Sequence, residues 1–177
     1  KRLYYDYIKD AYGETGIFSI DLSTYANLMT NMAYDGEWKP LFDYICGLIR
    51  ESMSLRDLIT GEKSIQAFLN VYLGLSNLFI IHTEKEMNKG YADMVMEPFS
   101  EAYEGIRFSY VLEIKYIKPE GKRKKKPSPG VIDQVKAEAE GQLNHYCMDE
   151  KFKRSMEKTE VKKLTLIFYG SDLVFIG

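Results

Sequence analysis

The sequence predicts an α/β domain in which a central mixed β-sheet is flanked by helices, preceded by a small helical segment. Three observations carry that expectation. Residues 90–96 and 108–118 are short runs rich in β-branched and aromatic side chains, with Glu97-Pro98 and Glu104-Gly105 punctuating the chain between them. They are bracketed by two stretches, opening at Glu62 and Val131, whose apolar residues recur at helical spacing. A second strand pair, 163–169 and 173–176, closes the chain around the tight turn Gly170-Ser171-Asp172.

The 177 residues suit one domain with room for an appendage, and 45% hydrophobic with 28% charged residues is ordinary for a soluble globular chain. A net charge of -2 supplies no global field toward nucleic acid, so any such binding must be local. Cys46 and Cys147 are far apart and lack metal-ligand spacing, which points to reduced thiols in the cytoplasm. No apolar run has the length of a membrane span and no signal peptide is visible, so no membrane partner is expected. The chain begins at Lys1 rather than Met, as a fragment or processed product would, and carries no signal for oligomeric state. The 14 tyrosines either pack half-buried or serve a binding surface.

Taken in order, residues 1–12 form a short tyrosine-rich basic helix ending near Gly13, and 13–20 carry a short apolar stretch. Asp21 or Ser23 caps a helix over 24–33 that Asp35-Gly36 breaks. Leu41, Phe42, Tyr44, Ile45, Leu48 and Ile49 mark another helix over 40–50, and Ser52 or Ser54 caps a short one that stops at Gly61. No catalytic constellation appears in these first sixty residues. Glu62 opens the next helix, whose buried face is Ile65, Phe68, Leu69, Tyr72 and Leu73. Glu62 lies at the margin of that face, either complementing the helix dipole or aiming a carboxylate into a site.

Residues 78–83 read as a strand, followed by Glu84-Lys85-Glu86 and a turn through Asn88-Lys89-Gly90. His82 is expected to be structural, and Glu86 to be a solvated strand-end charge, with a metal environment as its alternative. In the strand over 108–118 alternation places Phe108, Tyr110, Leu112, Ile114 and Tyr116 on one face and Val111, Glu113, Lys115 and Ile117 on the other. A carboxylate and an ammonium on one face of an apolar strand are costly to bury unless paired or bound. Asp93 adds a third charge in the preceding strand. If the two strands pair, Asp93 and Glu113 meet at one end and present oxygens to a hard cation such as Mg²⁺, with Lys115 beside it. That arrangement serves metal-assisted phosphodiester hydrolysis. An ion pair at a sheet end also explains the triplet, without any chemistry.

The basic run Lys122-Arg123-Lys124-Lys125-Lys126, between Pro119 and Gly130, has no core residues and reads as a loop, either a solvated insertion or a phosphate-binding arm. Over 131–147, Ile132, Val135, Ala139, Leu143 and Tyr146 form the apolar stripe of a helix, and Gln142 falls on that stripe. A buried amide needs a partner, which is a site carboxylate, water or phosphate, or else an ordinary core group. His145 sits one step off the stripe and is expected to be exposed. Residues 149–160 read as charged loop with a little helix, and the last two strands as plain sheet core.

The order helix, three strands, helix, two strands, carrying an acid, then Asp, then Glu-x-Lys, then a helical Gln, resembles the PD-(D/E)XK nuclease superfamily. Gly61-Glu62, Gln66-Ala67-Phe68-Leu69, Glu84-Lys85-Glu86, Gly90-Tyr91-Ala92-Asp93, Leu112-Glu113-Ile114-Lys115 and the stretch from Gln142 to Tyr146 look like the nuclease-like domain that follows an AAA-ATPase-like domain in a family of uncharacterised bacterial proteins. The resemblance implies a restriction-endonuclease-like core over 61–177, a helical connector over 1–60, and an upstream ATPase domain as partner. It implies Mg²⁺ or Mn²⁺ as cofactor and nucleic acid, DNA first, as substrate. Asp93 and Glu113 match the metal-binding acids, Lys115 the catalytic lysine, Glu62 the accessory acid and Gln142 the later polar residue; Ala92 stands at the name-giving proline. Gly61-Glu62-Lys63-Ser64 lacks the first glycine of a phosphate-binding loop, so ATP is not expected to bind here. A module that keeps the nuclease fold for nucleic-acid or protein binding without catalysis is the alternative.

Overall fold

The computed structural model describes residues 20–51, 53–119 and 127–177. The expected helix over 1–12, the start of the apolar stretch that follows it, Ser52 and the basic run 122–126 lie outside the described residues. Helix α1 (Leu22–Asp35) begins where the Asp21 carboxylate accepts from the backbone N–H groups of Ser23 and Thr24, and ends at Gly36, whose φ of 76° lets its N–H reach the Asn31 carbonyl. α2 (Trp38–Glu51), α3 (Met53–Leu58) and α4 (Glu62–Leu73) follow, then β1 (Phe79–Met87), β2 (Gly90–Pro98) and β3 (Phe108–Ile117). α5 (Pro129–Tyr146) and α6 (Glu150–Ser155) lead to β4 (Glu160–Tyr169) and β5 (Asp172–Ile176).

The five strands form one sheet in chain order, antiparallel except for the parallel pair β3 and β4. A parallel neighbour cannot be reached by a tight turn, and α5 with α6 supplies the crossover. One face of the sheet, with Met94, Met96, Tyr110, Leu112, Ile114, Leu164, Leu166 and Phe168, packs under α1, α2 and α4. The opposite face, with Val95 and Val111, packs against Leu143 and Tyr146 of α5 and Phe152 of α6. Buried hydroxyls tie the first layer down: Tyr110 Oη donates to the Met32 carbonyl at 2.6 Å and Tyr25 Oη to the Tyr72 carbonyl at 2.7 Å. Each satisfies a group that burial would otherwise leave costly. Among the described residues no helix is long and apolar enough to cross a membrane.

Two boundaries differ from expectation. β1 runs on through Glu84-Lys85-Glu86, because Lys85 and Glu86 pair with Ala92 and Tyr91, and an edge strand tolerates charges on its open side. β4 begins at Glu160, three residues early, because its parallel register sets Glu160 beside Phe108. The β1–β2 turn is Asn88-Lys89, with φ of 47° and 64°, the left-handed pair that a two-residue hairpin demands.

The hairpin also inverts. Phe79 of β1 and Met94 and Met96 of β2 belong to the core under α4, whereas Met87 and Ala92 belong to the core under α5. Residues 92 and 94 share parity, so a regular strand would put them on one face. The exchange happens at one rung: Thr83 pairs with Met94 and Lys85 with Ala92, but the pair between them, Glu84 with Asp93, is missing, and Glu84 has a left-handed φ of 52°. Both strands turn over together, so the register survives. The outer hairpin therefore folds toward α5, and Asp93 sits at the fold line.

Candidate active site

Asp93 lies where two ladders fail. Toward β3 the pairing stops at Met94 opposite Leu112; the next rung would set Asp93 opposite Glu113. Instead the Asp93 side chain crosses the gap, and its Oδ2 accepts from the Ile114 backbone N–H at 2.7 Å. Toward β1 its carbonyl, freed from the missing rung, accepts from Gln66 Nε2 of α4 at 2.6 Å. The sheet is thus open at this end, and a carboxylate fills the opening.

Glu113 and Lys115 follow Val111 along the α5 face of β3, as alternation predicts. Glu113 is 3% exposed, and Lys115 Nζ donates to its Oε1 at 2.9 Å. Among the described residues its other oxygen, Oε2, is buried with no hydrogen-bond partner. Gln142 Oε1 on α5 and Thr165 Oγ1 on β4 are in the same condition. Thr165 is in register with Glu113 and lies between Leu164 and Leu166 of the opposite core, so its hydroxyl shares the Glu113 face. Buried polar atoms are normally paired, so each of these three is open to a polar partner.

The charges feel one another. Burial pushes the Glu113 carboxyl up to about 7, with Lys115 opposing it and the Asp93 and Glu62 charges adding to it. Burial also raises Asp93, against the Ile114 N–H, Lys115 and Lys63. Glu62, half-buried in the first turn of α4, is raised by burial and by Asp93, and lowered by Lys115 and Lys63. For Lys115 burial is the largest single influence and acts downward, but the hydrogen bond and charge of Glu113, with Glu62 and Asp93, outweigh it and leave the ammonium above its ordinary value. Four of the five expected residues, Glu62, Asp93, Glu113 and Lys115, are therefore electrostatic neighbours. Gln142 is on the helix that covers them, one turn before Tyr146.

Tyr146 belongs to this neighbourhood too. Its hydroxyl is raised by burial, and then by Glu113 and Asp93 against Lys115. Its ring packs so closely on β2 that a Cβ at Gly90 would come 2.5 Å from Cε1, which is why the first residue of β2 is glycine. His82, Glu86 and His145 lie elsewhere. His82 contacts Glu97 Oε2 at 3.1 Å, Glu86 is exposed, and exposed His145 engages the Asn88 carbonyl through Nε2 at 2.9 Å.

The donor set suits a hard divalent cation: buried carboxylates whose ionisation burial opposes, one oxygen unpaired, and no Cys or His among them. Among the described residues no three His, Cys, Asp or Glu side chains stand together as a ready metal cage. Lys115 holds one oxygen of Glu113 and the Ile114 N–H one of Asp93, so the acids are neighbours rather than a preassembled shell. Gln66 and Thr165 escaped sequence reasoning as site residues. Gln66 stands in the family-like motif 66–69 with no role of its own, and Thr165 in a strand that reads as plain sheet core.

Residues 60–176 match the family model of the PD-(D/E)XK nuclease superfamily. No curated protein matches the sequence.

Proposed function

The chain belongs to the PD-(D/E)XK nuclease superfamily, and from that premise we propose that it hydrolyses phosphodiester bonds of nucleic acid, DNA first, with Mg²⁺ or Mn²⁺. The family implies a nucleic-acid substrate and generally uses divalent metal ions. One observation carries the reading to particular residues: the buried Oε2 of Glu113 has no hydrogen-bond partner among the described residues, while Lys115 holds its other oxygen and Asp93, one rung past the end of the β2–β3 ladder, reaches across to the Ile114 N–H. Asp93 and Glu113 would hold the ion. When bound, it supplies positive charge to the phosphate oxygens and makes water a stronger acid. Lys115, kept charged by the surrounding acids, donates a hydrogen bond to the attacking water or to a phosphate oxygen as the water oxygen bonds to phosphorus and the ester oxygen departs, the water proton passing through solvent to that oxygen. Glu62 and Gln142 orient this set from α4 and α5, since groups around a site fix the direction of its ligands.

The same reading makes residues 1–60 a connector from an upstream ATPase domain and places the protein in the cytoplasm. The closed pair of Lys115 with Glu113 and the lack of a ready cage among the described residues favour a second reading, a module that binds nucleic acid or protein without cutting. Incubation with single- and double-stranded DNA and RNA, in Mg²⁺, Mn²⁺ or chelator, separates them. Cleavage that needs the ion and is lost in Lys115→Ala supports the nuclease; no cleavage by the wild type assigns the second reading, and equal cleavage by the variant counts against a nuclease that works through Lys115.

A further inference from the structure

We infer that Gln66 is a positioning residue that sets the direction of the Asp93 carboxylate by clamping the Asp93 main chain. The inference rests on the proposal that Asp93 holds the ion. The amide is 6% exposed, yet it lies on α4 among Ile65, Leu69 and Tyr72, where an apolar residue would pack at lower cost. Its Nε2 donates to the Asp93 carbonyl at 2.6 Å, and its Oε1 accepts from Lys63 Nζ at 3.5 Å. Lys63 in turn pairs with Glu84, the residue with left-handed φ directly across the missing rung. The chain Glu84, Lys63, Gln66, Asp93 therefore closes over the fold line of the hairpin from the α4 side.

The geometry explains why the clamp matters. In an unbroken antiparallel ladder the Asp93 carbonyl would bond across a strand and the neighbouring N–H groups would hold the peptide flat. Here that rung is absent, and the carbonyl would be left without a partner in a half-buried position. Gln66 supplies the partner and fixes the peptide plane, which in turn fixes where the Asp93 side chain leaves the backbone. Oδ2 can then reach the Ile114 N–H, leaving the second oxygen outside that bond. Gln66 touches neither ion nor substrate in this account; it acts through Asp93.

Gln66→Met keeps the length and bulk of the side chain and removes the donor. Gln66→Glu keeps the shape and replaces the donor with a second acceptor. Mn²⁺ binding is measured by calorimetric titration of each variant and of the wild type, with Asp93→Asn as the reference for loss of the ligand, and each protein is first shown to be folded by its melting transition. Expected is a fall in Mn²⁺ affinity of about 10-fold or more for Gln66→Met, and a larger one for Gln66→Glu, per folded molecule. In cleavage the loss falls on kcat with KM for the nucleic acid unchanged. A purely structural role would lower the melting temperature and leave the affinity of the folded fraction intact, and that result overturns the inference. Wild-type binding that Asp93→Asn does not weaken overturns the metal reading beneath it as well, so the two failures are told apart.

Discussion

Replacing Glu113 by Gln should make the metal-free protein more stable at alkaline pH, although it deletes a residue at the centre of the proposed site. Burial lifts the folded carboxyl from an ordinary 4.5 to about 7. A carboxyl whose folded value is raised binds its proton more tightly in the folded state, so ionisation opposes folding. The penalty begins above the unfolded value, grows as pH rises to about 7 and is full beyond it. At roughly 1.4 kcal/mol per pH unit its ceiling is about 3 kcal/mol at pH 8. The neutral amide escapes the penalty but leaves Lys115 facing an amide oxygen instead of a carboxylate, which returns part of it. The net gain expected at pH 8 is about 1–2 kcal/mol, or roughly 3–6 °C in Tm for a chain of this size. At pH 5 the wild-type carboxyl is protonated in the folded state and less than about 1 kcal/mol of the penalty remains. Thermal unfolding of both proteins in chelator, at pH 5 and pH 8, reads the effect directly. A variant less stable than wild type at pH 8, or a gain equal at both pH values, would refute the argument that burial strains this carboxylate.

Other consequences follow from particular contacts. Lys115→Ala should reduce cleavage about 100-fold or more while the protein stays folded, measured as turnover under saturating Mg²⁺. Gly90→Ala forces a methyl against the Tyr146 ring and should cost about 1–3 kcal/mol, read as a lower denaturant midpoint. Tyr110→Phe leaves the Met32 carbonyl without its buried donor and should cost about 1–2 kcal/mol in the same measurement, whereas no change would mean that α1 is not held to the sheet by this bond. Saturating Mn²⁺ should raise the Tm of the wild type and leave Asp93→Asn unmoved, and chelator should reverse the rise.

Much of the fold could be read in the chain because its signals are local. The alternation of β3 fixes which residues face α5, and Asp21 and Gly36 bracket α1 with a cap and a left-handed stop. The pairing of β2 with β3 was legible for the same reason, although the ladder stops at Met94 opposite Leu112, one rung short of Asp93 and Glu113. What could not be read depends on partners far away in sequence. The charged triplet Glu84-Lys85-Glu86 looks like the end of a strand, and only pairing with Tyr91 and Ala92 keeps it in β1. The inversion at Asp93 changes no hydrophobic period within β2, so nothing in that strand announces it. Gln66 carries no role within its motif, because its meaning lies in a carbonyl turned outward by a rung that is missing 27 residues later. Thr165 likewise acquires significance only from its register with Glu113.

The most direct test of the central claim is anomalous diffraction from crystals of the protein soaked in Mn²⁺. Expected is a single strong peak within bonding reach of both Asp93 and Glu113, with Lys115 Nζ moved off Oε1. A peak held by other residues, or none at concentrations that support cleavage, would contradict it.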